Sequence, residues 1–220
     1  MPRYTRVARL AQVPGIGVDR MGNAADAAHD SDILRLENLD TDVPPPLIAI
    51  ETTKNAIGLD ENNSYLPFLG QNNLRKAATK RVSKVSHVEY DWQSECIISA
   101  GGMSGILNCL LAMLEPGDEV IVTDPTYAGI INRIRIAGGV PLFIPLIPSQ
   151  AGWSLLLDTT PFGITSQKLS EHLLQEAKIA TTPMVGWGET AGKYVRFVFS
   201  NEPKERLIGL GKKIKKVLGV

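Results

Sequence analysis

The stretch from residue 95 to residue 146 constrains the fold most, because short apolar runs alternate in it with helical patterns. Residues 95–99, 119–124 and 140–146 are predicted to be buried strands. Proline and glycine punctuate the segments between them, which are predicted to be helices over residues 106–114 and from Pro125 to about Ile136. Strands that alternate with helices at this pitch indicate a parallel sheet with crossover helices. The pattern therefore predicts an α/β fold.

After Pro148 this alternation ends, and the pattern predicts a small α+β unit. We predict an N-terminal arm over residues 1–32, a large domain over residues 33–148 and a small C-terminal domain over residues 149–220. The remaining predicted strands are residues 34–39, 152–158 and 193–200. The remaining predicted helices are residues 47–57, 74–87, 165–178 and 204–218.

Composition excludes several classes of protein. The 220 residues carry 23 Lys and Arg against 23 Asp and Glu, so a basic nucleic-acid surface is not indicated. Two cysteines, Cys96 and Cys109, and three histidines offer neither a disulfide framework nor a zinc site. Glycine and serine interrupt the uncharged run 96–114, and proline interrupts 136–157, so neither is predicted to span a membrane. Without a long apolar leader segment, a cytoplasmic location is expected.

A glycine-rich turn, Gly101-Gly102-Met103-Ser104-Gly105, joins the predicted strand 95–99 to the next helix. Such a turn can hold a phosphate group, because glycine lets the backbone approach closely and the helix N-terminus favours an anion. A tight turn that binds nothing is the structural alternative. A dinucleotide site is another, since Asp124 follows where a ribose-binding acid would stand, although Ala100 replaces the first glycine of that fingerprint.

Four sequence segments together resemble the class I/II pyridoxal-phosphate aminotransferases of fold type I. They are Tyr-Leu-Pro-Phe-Leu-Gly at 65–70, Leu-Arg-Lys-Ala at 74–77, Ser-Ala-Gly-Gly-Met-Ser-Gly-Ile-Leu at 99–107 and Pro-Gly-Asp-Glu-Val-Ile-Val-Thr-Asp-Pro-Thr-Tyr at 116–127. They occur in the family's order within residues 33–146, and residues 152–219 look like its small domain. The resemblance implies an incomplete parallel-sheet large domain followed by a small α+β domain.

The resemblance also implies binding roles for particular residues. Tyr127 matches the aromatic residue that stacks on the pyridine ring, and Tyr65 matches a tyrosine that reaches a phosphate across a dimer interface, which implies a homodimer. Arg196 matches the arginine that binds the substrate α-carboxylate through two parallel hydrogen bonds. Each residue also has a purely structural alternative: Tyr127 as a core aromatic, Tyr65 as a loop tyrosine without a partner, and Arg196 as a sheet residue in a surface ion pair. The residues that match the phosphate-binding loop are Gly101, Gly102 and Met103.

One block of the family pattern has no match between residues 146 and 152. The resemblance places there the Schiff-base lysine and the aspartate that faces the ring nitrogen. Lys84 lies on a helix before the phosphate loop, and no serine pair precedes the later lysines Lys168, Lys178 and Lys193. The resemblance and its missing block together imply a transaminase-family chain that binds an amino acid or 2-oxo acid and holds pyridoxal phosphate non-covalently at best. They also predict that this chain alone is not a competent transaminase. The alternatives are a non-catalytic partner of a full-length relative and a dinucleotide-binding oxidoreductase.

Overall fold

The computed structural model describes residue 7 and residues 10–37, 43–146 and 154–220. The helices are α1 Gly17–Ala27, α2 Leu47–Ile57, α3 Asn72–Ser86, α4 Gly102–Met113, α5 Ala128–Ile136, α6 Ser166–Ala177, α7 Lys204–Leu207 and α8 Leu210–Leu218. The strands are β1 Leu34–Arg35, β2 Glu119–Asp124, β3 Val140–Pro145, β4 Ser154–Asp158, β5 Ile179–Ala180, β6 Thr182–Pro183 and β7 Tyr194–Val198. Within these described ranges, no helix has both the length and the apolar character that crossing a bilayer requires.

The chain divides into two compact units, each described here by itself. The first comprises Met1–Val43 and Leu110–Val220, and the second is Pro44–Cys109. The division predicted from the sequence, into an arm, a large domain and a small domain, stays a prediction.

The alternating part of the sequence forms a parallel strand pair in the first unit. Strands β2 and β3 run parallel and in register from Glu119 opposite Val140 to Asp124 opposite Pro145, with α5 between them in sequence. Two prolines in β3, Pro141 and Pro145, suit a strand that pairs on one side only among the described residues, because proline has no N–H to donate to a neighbouring strand. The predicted mixed α/β fold with parallel strands is confirmed here.

The principal core of the first unit joins its early and late segments. Strand β1 pairs parallel with β5, and β7 lies between β4 and β6 in an antiparallel sheet. Helix α6 covers these strands; its N-cap is Thr165, whose hydroxyl accepts the backbone N–H of Lys168 at 3.3 Å. The buried residues of this core are Leu34, Leu36, Leu169, Leu173, Ile179, Val195 and Phe197.

Shortening Leu173 to alanine is expected to destabilise the fold by about 2–5 kcal/mol, since the side chain is fully buried and leaves a cavity. Leu155→Ala on β4 is the matched control, because that side chain is 53% exposed, and its loss should cost less than about 1 kcal/mol. Urea unfolding followed by circular dichroism measures both. Equal losses would contradict the position of this core.

The last predicted helix, residues 204–218, is wrong as a single element. It breaks into α7 and α8 because Gly209 takes a left-handed conformation with φ 81°. The apolar residues of α8, Leu210, Ile214 and Val217, pack against the principal core, while its lysines face outward. The apolar face of this basic helix is therefore already used inside the fold.

The predicted strand at residues 95–99 is also wrong. These residues form neither strand nor helix, because other groups in their unit take their backbone hydrogen bonds. The Ile98 N–H donates to the Leu69 carbonyl at 2.9 Å, and the Arg75 guanidinium donates to the Cys96 carbonyl at 2.7 Å. An apolar run without a neighbouring strand has no ladder to join. Helix α4 moreover begins at Gly102, four residues earlier than predicted.

The unit Pro44–Cys109, all of which is described, has an unusual interior. None of its apolar side chains is buried, and its buried residues are Arg75, Thr79 and Ser83 on one face of α3. Arg75 donates a second hydrogen bond to the Gln93 carbonyl at 2.8 Å. This unit is therefore organised by polar contacts around α3 rather than by a hydrophobic core.

Candidate functional site

An indole ring brings two of the predicted site residues together in the first unit. The Arg196 guanidinium carbon lies 4.7 Å from the centroid of the Trp187 ring. The Tyr127 ring meets the same indole edge-on, with centroids 5.4 Å apart and an angle of 75° between the ring planes. Trp187 itself is 4% exposed. The structure thus joins the predicted carboxylate-binding residue and the predicted ring-stacking residue through a third residue that sequence analysis missed.

Strand β7 positions Arg196 with its guanidinium partly buried. Its flanking residues Val195 and Phe197 enter the core, so the alternation of the strand turns Arg196 to the other face. One terminal nitrogen, Nη2, donates to the Glu37 carbonyl at 2.9 Å and approaches the Thr182 hydroxyl at 3.5 Å.

The remaining donors of Arg196 make it a candidate anion site. The Nε atom is buried and has no hydrogen-bond partner among the described residues. Burial lowers the pKa of the Arg196 guanidinium, and the Tyr127 phenol opposes that shift. The group nevertheless stays charged at neutral pH, because guanidinium does not lose its proton in proteins. A buried, charged donor without a partner favours an acceptor such as a carboxylate.

Tyr127 lies at the turn between β2 and α5, immediately before the first residue of that helix. The preceding residue, Thr126, donates its N–H to the Trp187 carbonyl at 2.8 Å. This bond ties the turn to residues 184–190, called the tryptophan loop here. The tyrosine ring packs so closely on Gly129 that any side chain there would collide with it. Tyr127 as a whole residue is 41% exposed, so it can be reached from solvent.

Asp124, at the end of β2, anchors the loop that carries Trp187. Its carboxylate is 3% exposed and accepts the Thr190 N–H at 2.8 Å through Oδ2. The other oxygen, Oδ1, is buried without a hydrogen-bond partner in the described parts of the chain. Gly188, with φ 144°, lies directly against this carboxylate. The acid that the dinucleotide alternative would assign to a ribose is therefore engaged with the protein's own loop.

The glycine-rich turn is open in its own unit. Gly101 has φ 87°, and a Cβ placed on Gly101 or Gly102 would meet no atom within 4 Å. The Gly101 carbonyl accepts the Ser104 N–H at 3.1 Å and the Ser99 hydroxyl at 3.1 Å, which fixes the turn as α4 begins. An exposed helix start with room above its glycines fits a phosphate group.

Two of the predicted roles, those of Tyr65 and Met103, are not tested by the structure. Tyr65 lies in a loop of the second unit and is fully exposed, with a relative exposure of 101%. Met103 follows Gly102 in the first turn of α4 and is half-buried. The roles given to both residues stay predictions.

Every lysine of the chain lies among the described residues, and every one is exposed. Two of them are held by acids in surface ion pairs: Lys193 lies 3.6 Å from Asp158, and Lys178 lies 2.7 Å from Asp30. None is enclosed as a lysine bonded to a cofactor would be. Trp187, which sequence analysis missed, had one local signal: it is a large aromatic residue between two glycines, just before the strand that carries Arg196.

Comparison with known proteins yields one family and many relatives. The family model described as aminotransferase class I and II matches residues 35–170. Kynurenine–oxoglutarate transaminase 3 of Mus musculus is 31% identical over 119 residues, which are 54% of this chain and 26% of that protein. A probable N-succinyldiaminopimelate aminotransferase of Mycobacterium tuberculosis is 26% identical over 174 residues, covering 77% of this chain and 43% of that protein. The chain thus spans less than half the length of these curated relatives.

Solved structures share the fold at low sequence identity. The N-succinyldiaminopimelate aminotransferase from Mycobacterium tuberculosis matches with a TM-score of 0.81 at 13% identity, covering 98% of this chain and 100% of that chain. An aromatic aminotransferase from Pyrococcus horikoshii matches with a TM-score of 0.75 at 15% identity, covering 90% and 98%. The fold-type-I architecture expected from the sequence is confirmed.

Proposed function

This chain belongs to the aminotransferase class I and II family, and from that premise we propose that it binds the carboxylate of an α-amino acid or 2-oxo acid together with non-covalent pyridoxal 5′-phosphate. The same proposal holds that this chain alone does not sustain transamination. The observation that carries it is Arg196, a partly buried guanidinium whose Nε has no partner in the described structure.

The carboxylate is assigned to Arg196 for geometric and electrostatic reasons. The Trp187 ring packs against the Arg196 guanidinium group. The Glu37 carbonyl accepts a hydrogen bond from one of its terminal nitrogens and fixes its position. A side chain fixed in this way loses little further freedom when an anion binds. The fork of the guanidinium matches the two oxygens of a carboxylate, which a lysine ammonium at this position would not do.

The cofactor phosphate is assigned to the turn Gly101–Met103. There is open space above Gly101 and Gly102, and the N-terminus of α4, which begins at Gly102, favours an anion. Tyr127 is assigned to the face of the pyridine ring, because its ring is fixed by Trp187 and accessible to solvent. When bound, the cofactor supplies an electron sink for chemistry at the α-carbon. Tyr65, fully exposed, is assigned to a second copy's cofactor phosphate in a homodimer.

The proposed loss of turnover follows from the lysines. Transamination needs an amine that bonds the cofactor and moves the proton of the α-carbon. The exposed lysines of this chain are not held for that task, and no acid is assigned to the ring nitrogen. Without these two groups, the chain would orient a cofactor and a substrate but leave proton transfer to water.

The test combines binding, covalent labelling and turnover. Equilibrium dialysis should show pyridoxal phosphate retained by the chain, and borohydride treatment at equimolar cofactor should leave no single lysine labelled in most of the protein. With 2-oxoglutarate and a panel of amino acids, steady turnover should be absent. Stoichiometric labelling of one lysine, or sustained turnover, would contradict the proposal. Retention of NAD but not of pyridoxal phosphate would instead favour the oxidoreductase alternative.

The second candidate is a non-catalytic partner of a full-length relative. The exposure of Tyr65 and Phe68, 101% and 102%, favours it, because two bare aromatic side chains in one loop suit a protein contact. Co-expression of the chain with an intact family member should then give a mixed dimer in light scattering and co-purification. A chain that remains monomeric in the presence of the relative would contradict this candidate.

A further inference from the structure

A basic groove runs along α3 in the unit Pro44–Cys109, apart from the residues assigned above. Its volume is about 500 Å³, within the usual range for small-molecule sites. One wall carries Lys76, Lys80 and Lys84, spaced four residues apart so that their side chains follow one side of the helix. We propose that this groove binds the polyphosphate group of an anionic small molecule.

The three ammonium groups of the groove are not neutralised by the protein. None of them forms an ion pair with a carboxylate of the described residues. Like charges at four-residue spacing repel one another and weaken a helix. The single acid that lines the groove is Glu89. The groove therefore keeps a positive charge that a multivalent anion would neutralise.

The opposite wall is held in place. Trp92 contacts Lys76, whose ammonium lies 4.6 Å from the ring centroid, and Arg75, whose guanidinium lies 5.4 Å from it. Arg75 is buried and donates to the carbonyls of Gln93 and Cys96, which follow Trp92 in the chain. These contacts hold the Trp92 ring beside the helix lysines.

The floor of the groove adds one hydroxyl donor, Ser83, since the Thr79 hydroxyl donates to carbonyls of its own helix. Ser83 and Thr79 are each 8% exposed and line the groove between the lysines. The Ser83 hydroxyl accepts the Tyr90 N–H at 3.3 Å, so its own hydrogen can be donated to a phosphate oxygen. Cations in a row with a hydroxyl donor beneath them suit linked phosphates better than a single carboxylate.

Titration calorimetry with inorganic tripolyphosphate tests the site on the full chain, with saturating pyridoxine 5′-phosphate present to fill the proposed cofactor site. Binding should be saturable and should weaken as salt is raised. The triple variant Lys76→Gln, Lys80→Gln, Lys84→Gln should bind at least about tenfold more weakly, since each exposed charge contact adds up to several-fold. Glu89→Gln should bind about two- to threefold more tightly, because it removes the opposing charge.

The matched control changes three lysines of another helix, Lys212→Gln, Lys213→Gln and Lys216→Gln on α8, and should leave the affinity unchanged. Equal losses in the two triple variants would overturn the proposal, because they would show attraction by net charge alone. Unchanged affinity in Glu89→Gln, or no saturable binding at all, would also overturn it.

A parallel titration with ATP distinguishes the ligand sources: equal affinity assigns the groove to the phosphates themselves, and tighter binding assigns it to a nucleotide. Binding that pyridoxine phosphate abolishes would overturn the separate site but not the proposed cofactor site.

Discussion

Replacing Gly188 by alanine is expected to destabilise the fold by about 3–5 kcal/mol and to disrupt the tryptophan loop. Gly188 has φ 144°, a conformation that side-chain-bearing residues rarely adopt, and an added Cβ would collide with Asp124 Oδ1. The carboxylate cannot move aside without losing the Thr190 N–H, its 2.8 Å partner. Urea unfolding measures the change in the free energy of unfolding. Fluorescence in a Trp92→Phe, Trp153→Phe background, where Trp187 is the one remaining tryptophan, reports the loop.

Gly192→Ala is the control for this prediction. Gly192 lies in the next turn of the same segment, and an added Cβ there would meet no atom within 4 Å. Its backbone does not require the left-handed region, so the change should stay within about 0.5 kcal/mol. If Gly188→Ala were as stable as Gly192→Ala, the close approach of the loop to Asp124 would be contradicted.

Replacing Arg196 by glutamine is expected to weaken the binding of 2-oxo acids by about 30- to 1000-fold, or roughly 2–4 kcal/mol, since a charge-assisted fork is lost. Arg196→Lys should recover only part of this affinity, because an ammonium cannot donate two parallel hydrogen bonds. Isothermal titration with 2-oxoglutarate measures both variants, and circular dichroism confirms that each is folded.

Arg20→Gln is the matched control for charge. Arg20 is exposed and forms a surface ion pair with Glu171 at 3.2 Å. Its replacement removes the same formal charge, but an exposed ion pair contributes little to stability. This variant should bind 2-oxoglutarate with unchanged affinity. A loss of affinity in Arg20→Gln that matched the loss in Arg196→Gln would place the carboxylate elsewhere.

Elements with strong local signals could be predicted from the sequence. The sequence predicts helix α2 at the bounds it has, Leu47–Ile57, because prolines stand directly before it and proline suits a helix start. Strand β2 likewise matches its predicted range, Glu119–Asp124, since its β-branched residues lie between two turn signals. In both cases the determining residues are neighbours in the chain.

Elements that depend on distant partners could not be predicted. Residues 95–99 have the composition of a strand, but Arg75 and Leu69 take their hydrogen bonds, and no local pattern shows this. Strand β5 is two residues long and exists because Leu34 and Arg35 pair with it. Such short pairings have no periodicity to detect.

The candidate site shows the same contrast. Arg196 and Tyr127 are predicted through the resemblance, because a family motif marks positions that meet in the folded protein. Trp187 and the Glu37 carbonyl, which hold the guanidinium, come from segments that meet Arg196 only after folding. A backbone carbonyl in particular leaves no mark on a sequence, because every residue has one.

The polar interior of residues 44–109 bears on how the protein acquires its structure. Burial of apolar surface is the chief driving force of folding, and this stretch buries none of its apolar side chains. Excised and expressed separately, it would lack the means to offset its own conformational entropy. We therefore expect this segment not to fold when it is expressed by itself.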